Sequence, residues 1–317
     1  MDGYRLNTFY SLEVFRAALK YKPKPDDKFV VSFPKAGTTW TQQIGYLIFH
    51  DGVPPSSAQD FHECSPFLDM FNIVTSDHKR PSGFIKTHLS YDLVPKSPQA
   101  KYLYVCRNPK DVCVSFYYHT CRFFCYDFLE GHFEDFFEVF MNGGTDNGDY
   151  FDHVLSWYEH RNDPNVSFIN YEDMKAEPKK SILKIAEFMS ENHHKRLVQD
   201  QKMLEQVAEY SGIDFMKIGA RNVFENLFPG AASETHSPFF VEYSGMNFMK
   251  GEAKDVFEKL YEGPLGNPTV PFIRKGIVGD WKGYFSAEMN ARMEENIFQN
   301  LSHTDLLDVW RKCGIIS

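Results

Sequence analysis

Short apolar runs separated by polar breaks recur along the chain and set out its elements. Runs at 29–33, 84–88, 101–106 and 166–170 are short, apolar and flanked by turn-forming residues, which predicts strands. Between them the apolar positions take helical spacing, from Ile44 to Phe49 and, beyond Pro178, from Lys180 to Met189. A further helix is expected from Glu252 to Tyr261, with Val256, Phe257 and Leu260 on one face. Strands alternating with helices predict an α/β fold with a central parallel sheet flanked by helices. No fixed-period repeat, low-complexity tract or Gly/Ser linker divides the chain.

The segment Phe33-Pro34-Lys35-Ala36-Gly37-Thr38-Thr39-Trp40 joins the first strand to the first long helix. Strand, glycine-containing loop and helix start form the geometry that binds phosphate: unpaired N–H groups point outward and the helix dipole favours an anion. Gly37 permits close backbone approach, Thr38 and Thr39 offer hydroxyls, Lys35 a mobile charge and Trp40 a face for a purine. This P-loop-like segment is not the Walker pattern, because its Lys precedes the Gly and no second Gly stands at the required spacing. Taken alone, the loop fits equally a helix start with a Thr cap and a buried Trp.

Lys86 and His88 end the second strand, at the carboxyl edge where ligands bind in open α/β sheets. Period two puts both side chains on one face, so a base near neutral pKa stands beside a fixed cation. A structural histidine is the plain alternative at this point. After the third strand comes Cys106-Arg107-Asn108-Pro109-Lys110-Asp111-Val112, where Pro109 suits the first turn of a helix. Arg107 and Ser115 share a ligand only if Arg107 reaches back along that helix.

With these segments in view, the chain resembles the cytosolic sulfotransferases, which move a sulfuryl group from 3′-phosphoadenosine-5′-phosphosulfate (PAPS) to a hydroxyl or amine. The matching blocks are Lys35 to Trp40, Lys86-Thr87-His88, Arg107 to Val112, Tyr171-Glu172-Asp173-Met174, and Arg274-Lys275-Gly276 running on to Gly279-Asp280-Trp281-Lys282. The likeness extends from about Pro25 to Lys282. It implies one sulfotransferase domain over 1–317, PAPS as co-substrate with PAP as product, and no metal. It implies that Lys35, Ala36 (through its backbone N–H), Gly37, Thr38 and Thr39 hold the 5′-phosphosulfate, and that Trp40 and Tyr171 pack around adenine. Arg107, Ser115, Arg274, Lys275 and Gly276 are the implied 3′-phosphate site; Ser211 is implied near the adenine, and Met216 among the residues that bind the cofactor. His88 is the implied base, Lys35 and Lys86 the cations at the reacting group, and Ser115 a restraint on Lys35. Lys86, Thr87, His88 and Phe123 are expected at the acceptor. Ile213 stands where the family commonly has an aromatic ring.

Composition narrows the partners. Net charge −9 and a pI near 5.7 argue against nucleic acid. No signal-like start or long apolar span is visible, which predicts a cytoplasmic protein away from membranes, unlike the membrane-anchored Golgi members. The six cysteines show no framework spacing, so free thiols are expected, and the pair Cys121/Cys125 lacks the second pair a metal site needs. The residues show no clustered metal-ligand spacing either. Two rival classes are a P-loop kinase, disfavoured by the misplaced Lys and by Arg274-Lys275-Gly276, and a nucleotide-binding module without catalysis.

Phe is abundant, at 30 residues, mostly core by expectation. The clusters after Ser115 favour an aromatic, phenol-like acceptor, with Asp127 or Glu130 as candidate partners for an amine. The stretch 231–268 exceeds the family's expected length and is expected to form a lid, with Phe239, Phe240, Tyr243 or Phe248 reaching the acceptor. In the family's short dimer segment, Lys282 is kept but Ser286, Ala287 and Ala291 replace Thr, Val and Glu, which predicts a monomer or weak homodimer.

Overall fold

The four strands lie in order β2-β1-β3-β4, all parallel: β1 is Lys28–Val31, β2 Ile85–Thr87, β3 Lys101–Cys106 and β4 Val166–Asn170. The computed structural model describes residues 4–70, 82–217 and 273–317. The expected lid at 231–268, its four aromatic residues and the helix Glu252–Tyr261 lie outside the described residues.

Side chains alternate across the sheet and build two layers of core. Phe29, Val31, Tyr102, Tyr104 and Cys106 face one cluster, joined by α4 (Pro109–Arg122), α5 (Phe133–Met141) and α6 (Tyr150–Tyr158). Val30, Leu103, Val105 and Ile169 face the other, covered by α2 (Thr38–Phe49), α8 (Pro178–Met189) and α10 (Gln201–Tyr210). This is one α/β domain with helices on both faces of a parallel sheet. Two strands are shorter than expected: Ser32, Phe33 and His88 have left the ladder. The chain turns there, which frees those residues to line a site instead of pairing.

In this order the connection after β1 runs one way, to β2, and the connection after β3 runs the other way, to β4. Ligands bind outside the carboxyl ends at such a point in open α/β sheets. Lys35 follows β1 and Arg107 follows β3, so both stand at that crevice.

Helix α4 is fixed at its start. Asn108 caps it by accepting from the Asp111 N–H at 2.9 Å, and its side-chain amide donates to Glu172 at 2.7 Å. Asp111 accepts the backbone N–H groups of Gly279 (2.8 Å) and Trp281 (3.1 Å), tying the segment after Arg274 to this helix. Lys110 is fully buried and donates to Asn290 (2.7 Å), Glu294 (2.7 Å) and the Ile315 carbonyl (2.5 Å). It thereby anchors the helix Ala287–Leu301 and the C-terminus. Lys110→Met removes the cation and strands its acceptors, but Glu294 is partly solvated. Urea denaturation is expected to show a loss of about 2–4 kcal/mol.

The six cysteines are free thiols. Among the described residues no helix is long and apolar enough to cross a membrane.

Candidate active site

One cavity of about 340 Å³ opens at the carboxyl ends of the strands. It brings together Lys35, Gly37, Thr38, Thr39, Trp40, Lys86, His88, Arg107, Ser115, Phe123, Tyr171, Ser211, Met216, Arg274, Lys275 and Gly276, drawn from across the chain.

The loop after β1 is shaped by two residues at positive φ, Lys35 (φ 69°) and Gly37 (φ 110°). Gly37 caps α2 in the left-handed region, and a Cβ there would stand 2.7 Å from the Tyr171 ring. The glycine cap gives the first turn of α2 no side-chain partner, and Gly37, Thr38 and Thr39 of that turn line the cavity. Thr38 shares a 2.5 Å hydrogen bond with Ser32. Trp40 meets Tyr171 edge-on at 5.3 Å, and the Arg107 guanidinium lies 4.4 Å over the Tyr171 ring. Gly276 (φ 61°) admits the close packing of Ile213, whose Cδ1 would stand 2.3 Å from an added Cβ.

His88 sits where the chain leaves β2. Its Nδ1 lies 2.7 Å from the Ser32 carbonyl, which can only accept, so Nδ1 carries the proton and Nε2 holds the lone pair. Its own carbonyl accepts from His153 Nε2 (2.9 Å) and Asn147 (3.1 Å), its N–H donates to Asp69 at 2.7 Å, and the next carbonyl accepts from Trp157 (3.1 Å). Burial, then the Lys86 charge, holds the imidazole well below its ordinary pKa, hence neutral. Lys86 lies 4.1 Å over the Phe67 ring.

The cavity is crowded with positive charge. Burial, followed by Lys86, Arg122, Arg107 and Arg274, lowers Lys35 to about 7. Burial lowers Lys86 to about 8 against the opposing pull of Asp69. Arg107 donates to the Lys35 and Ile277 carbonyls, both at 3.2 Å. Arg107 Nε and Arg274 Nη1 remain buried without a hydrogen-bond partner. Two orphaned guanidinium N–H groups in a cationic cavity fit an anionic ligand, and a phosphate engages them bidentately.

Several expectations change. Thr87 is fully buried and absent from the cavity; its hydroxyl donates to Asp69 at 2.5 Å. Period two explains this, since 86 and 88 share the face that 87 does not. Ala36 is also fully buried, and its N–H donates to the Phe33 carbonyl at 3.2 Å, so that amide is committed within the loop. Ser211 lines the cavity, but its hydroxyl turns back to the Val207 carbonyl at 2.7 Å. Arg274 is paired with Asp280, as is Lys275 at 2.7 Å. A phosphate there shares these cations with a carboxylate. Asp127 and Glu130 are exposed and stand outside the cavity lining.

Other residues escape a reading of the sequence. His119 lies with its Nδ1 3.4 Å from the Lys35 ammonium, and burial keeps it well below its usual pKa. Its spacing of four from Ser115 on α4 is the signal that would have found it. Asp69 holds Thr87 and the His88 N–H from a separate loop, and burial raises its carboxyl to about 6. Asn7, Phe9, Tyr10, Tyr126 and Asp146 complete the far end of the cavity. Among the described residues no group of three His, Cys, Asp or Glu is placed to hold a metal ion.

A helix start after one strand, a neutral imidazole and a cation at the next, and two guanidinium N–H groups still lacking a partner beyond suit an enzyme site for moving an anionic group. The sulfotransferase domain family matches residues 25–305, and the chain belongs to that family. It is 30% identical to an amine sulfotransferase of Oryctolagus cuniculus over 96% of this chain and 90% of that protein. It is 31% identical to sulfotransferase 1B1 of Mus musculus over 96% of this chain and 92% of that protein. Among solved structures it resembles mouse sulfotransferase SULT7A1 complexed with PAP, with TM-score 0.69, 25% identity and 98% of both chains covered. It shares its fold with a retinol dehydratase bound to androsterone and PAP, at TM-score 0.65 and 23% identity, covering 92% of this chain and 86% of that one. The protein is a sulfotransferase.

Proposed function

We propose that the enzyme transfers the sulfuryl group of PAPS to a hydroxyl of a small aromatic acceptor, with His88 as general base. The observation that carries this reading is the imidazole: Nδ1 is held by the Ser32 carbonyl, leaving Nε2 basic beside two lysines in one cavity. Bound PAPS supplies an activated sulfuryl group and a phosphate leaving group. His88 Nε2 takes the acceptor hydroxyl proton as the oxygen bonds to sulfur and the bond from sulfur to the bridging oxygen breaks. Lys35 stabilises that leaving oxygen, and Lys86 the equatorial sulfuryl oxygens, in a loose in-line transition state like that of phosphoryl transfer. Gly37, Thr38 and Thr39 hold the 5′ end, Trp40 and Tyr171 flank the adenine, and Arg107, Ser115, Arg274, Lys275 and Gly276 take the 3′-phosphate.

The test uses 35S-labelled PAPS with a panel of phenols, catecholamines, steroids and flavonoids, beside ATP labelled at the γ-phosphate. Labelled sulfate esters are expected from PAPS and no phosphate ester from ATP. Phosphate transfer, or PAP binding without turnover of any acceptor, would overturn the reading. Arg107→Ala and Arg274→Ala should each weaken PAP binding by about 1.5–3 kcal/mol, roughly 10- to 150-fold in Kd. Calorimetric titration reads this directly.

The same reading extends to assembly. Lys282, Ser286, Ala287 and Ala291 are all exposed and offer small or solitary contacts. Light scattering at micromolar concentration is expected to give a monomer or a weak dimer. A tight dimer abolished by Lys282→Ala would contradict it.

A further inference from the structure

The cavity is divided in charge. Lys35, Arg107 and Arg274 line its donor side, where Asp280 is engaged by Arg274 and Lys275, and Lys86 stands beside Phe67 and His88. Asp146, another carboxylate of the cavity lining, has a different set of partners. Its Oδ2 accepts from the Tyr126 hydroxyl at 2.5 Å and from the Asn7 amide at 2.6 Å. Both donors are neutral, and among the described residues no Lys, Arg or His forms an ion pair with Asp146. Burial pushes its carboxyl above the usual range. Burial likewise raises Tyr4, Tyr10 and Tyr126, helped by Asp69 and then Asp146 at Tyr4 and Tyr10 and by Asp146 at Tyr126. A carboxylate held in such a place without a cation is costly unless a ligand supplies one.

The walls around it are aromatic. Phe9 meets Phe123 edge-on at 6.1 Å, Phe123 meets His119 at 4.8 Å, and His119 meets Tyr126 at 5.8 Å. With Tyr10 these rings line the same end of the cavity. Ring faces together with an uncompensated carboxylate form the environment that recognises an organic ammonium.

We infer that the acceptor carries a cationic amine seated against Asp146 and these rings, while its hydroxyl is presented to His88. The inference rests on the sulfotransferase reading of the site and names the acceptor class. It also says which atom is sulfated. A carboxylate beside the amine favours the protonated nitrogen, which has no lone pair to attack sulfur. The hydroxyl oxygen therefore forms the new bond to sulfur, the sulfur–oxygen bond to the leaving phosphate breaks, and His88 receives the hydroxyl proton. The ammonium keeps its protons.

The experiment compares tyramine with 4-ethylphenol, which lacks only the ammonium, using labelled PAPS and the full chain. In the wild type kcat/KM should favour tyramine by about tenfold or more. Asp146→Asn should collapse that ratio, chiefly through the KM of tyramine, and Asp146→Glu should retain it. The ratio within one variant does not depend on the fraction folded, so a destabilised variant still reports. The tyramine product should retain a reactive primary amine. Equal kcat/KM for the two acceptors in the wild type, a ratio unchanged in Asp146→Asn, or an N-sulfated product would each overturn the inference. Turnover of 4-ethylphenol without preference for tyramine would do so while leaving the sulfotransferase reading intact. Turnover of neither would also overturn the inference, and the wider acceptor panel would then test the sulfotransferase reading separately.

Discussion

His88→Ala is expected to lower kcat by about 10²–10⁴-fold while the Kd for PAP stays within about threefold. The asymmetry follows from where the imidazole is held. Its Nδ1 is committed to Ser32 and its backbone to Asp69, His153 and Asn147, so Nε2 is the atom left for chemistry. The cations and helix start that suit the nucleotide phosphates come from other residues, Lys35, Arg107, Arg274 and the first turn of α2. Removing the imidazole should therefore cost the proton-transfer step and little donor affinity. Rapid-quench measurement of single-turnover rates, beside calorimetric titration with PAP, separates the two quantities. A variant that keeps most of its single-turnover rate would show that another group takes the proton. His119 would then be the first candidate, because its neutral ring lines the same cavity beside Lys35.

The central strands β1 and β3 were legible because they are apolar on both faces after their first lysine, which a parallel sheet covered by helices demands. By contrast β2 and β4 carry polar residues and were read from their flanking turns. The strand ends were less legible: Ser32, Phe33 and His88 read as strand, and only pairing with neighbours decides where a ladder stops. Lys86 and His88 were legible through period two, and the same period places Thr87 on the opposite side, against Asp69. Arg107 and Lys35 were legible as strand-end residues at a sheet edge. The acceptor end was not. Asn7 and Asp146 meet through a 2.6 Å hydrogen bond across 139 residues of sequence, and no local pattern foretells that contact. Asp280 illustrates a subtler limit. The sequence shows a basic pair, Arg274-Lys275, but not that a carboxylate five and six positions on folds back to hold both.

The affinity for PAP is expected to fall by about tenfold per pH unit between pH 7 and 9, because binding must protonate Lys35. In the free protein burial and the neighbouring cations hold Lys35 to about 7. Above that pH most molecules carry a neutral amine. A bound 5′-phosphate beside the ammonium favours the charged form, and a 3′-phosphate on Arg107 and Arg274 cancels two of the charges that depressed it. The bound-state pKa therefore lies above the free-state value. With that sign, complex formation takes up a proton above pH 7, and below pH 7 Lys35 is charged in both states and contributes no slope. The second ionisation of a phosphate monoester lies near 6, so the ligand itself is fully charged across the range and adds little. Lys86, lowered to about 8, is placed for the sulfuryl oxygens that PAP lacks, and should matter more for PAPS. Titration calorimetry at pH 8 in buffers of differing ionisation enthalpy should register uptake of close to one proton in the wild type and far less in Lys35→Met. An affinity that is flat from pH 7 to 9, or a slope that survives in Lys35→Met, would mean that Lys35 stays charged in the free cavity. The depressed lysine would then not be the group that couples donor binding to protons.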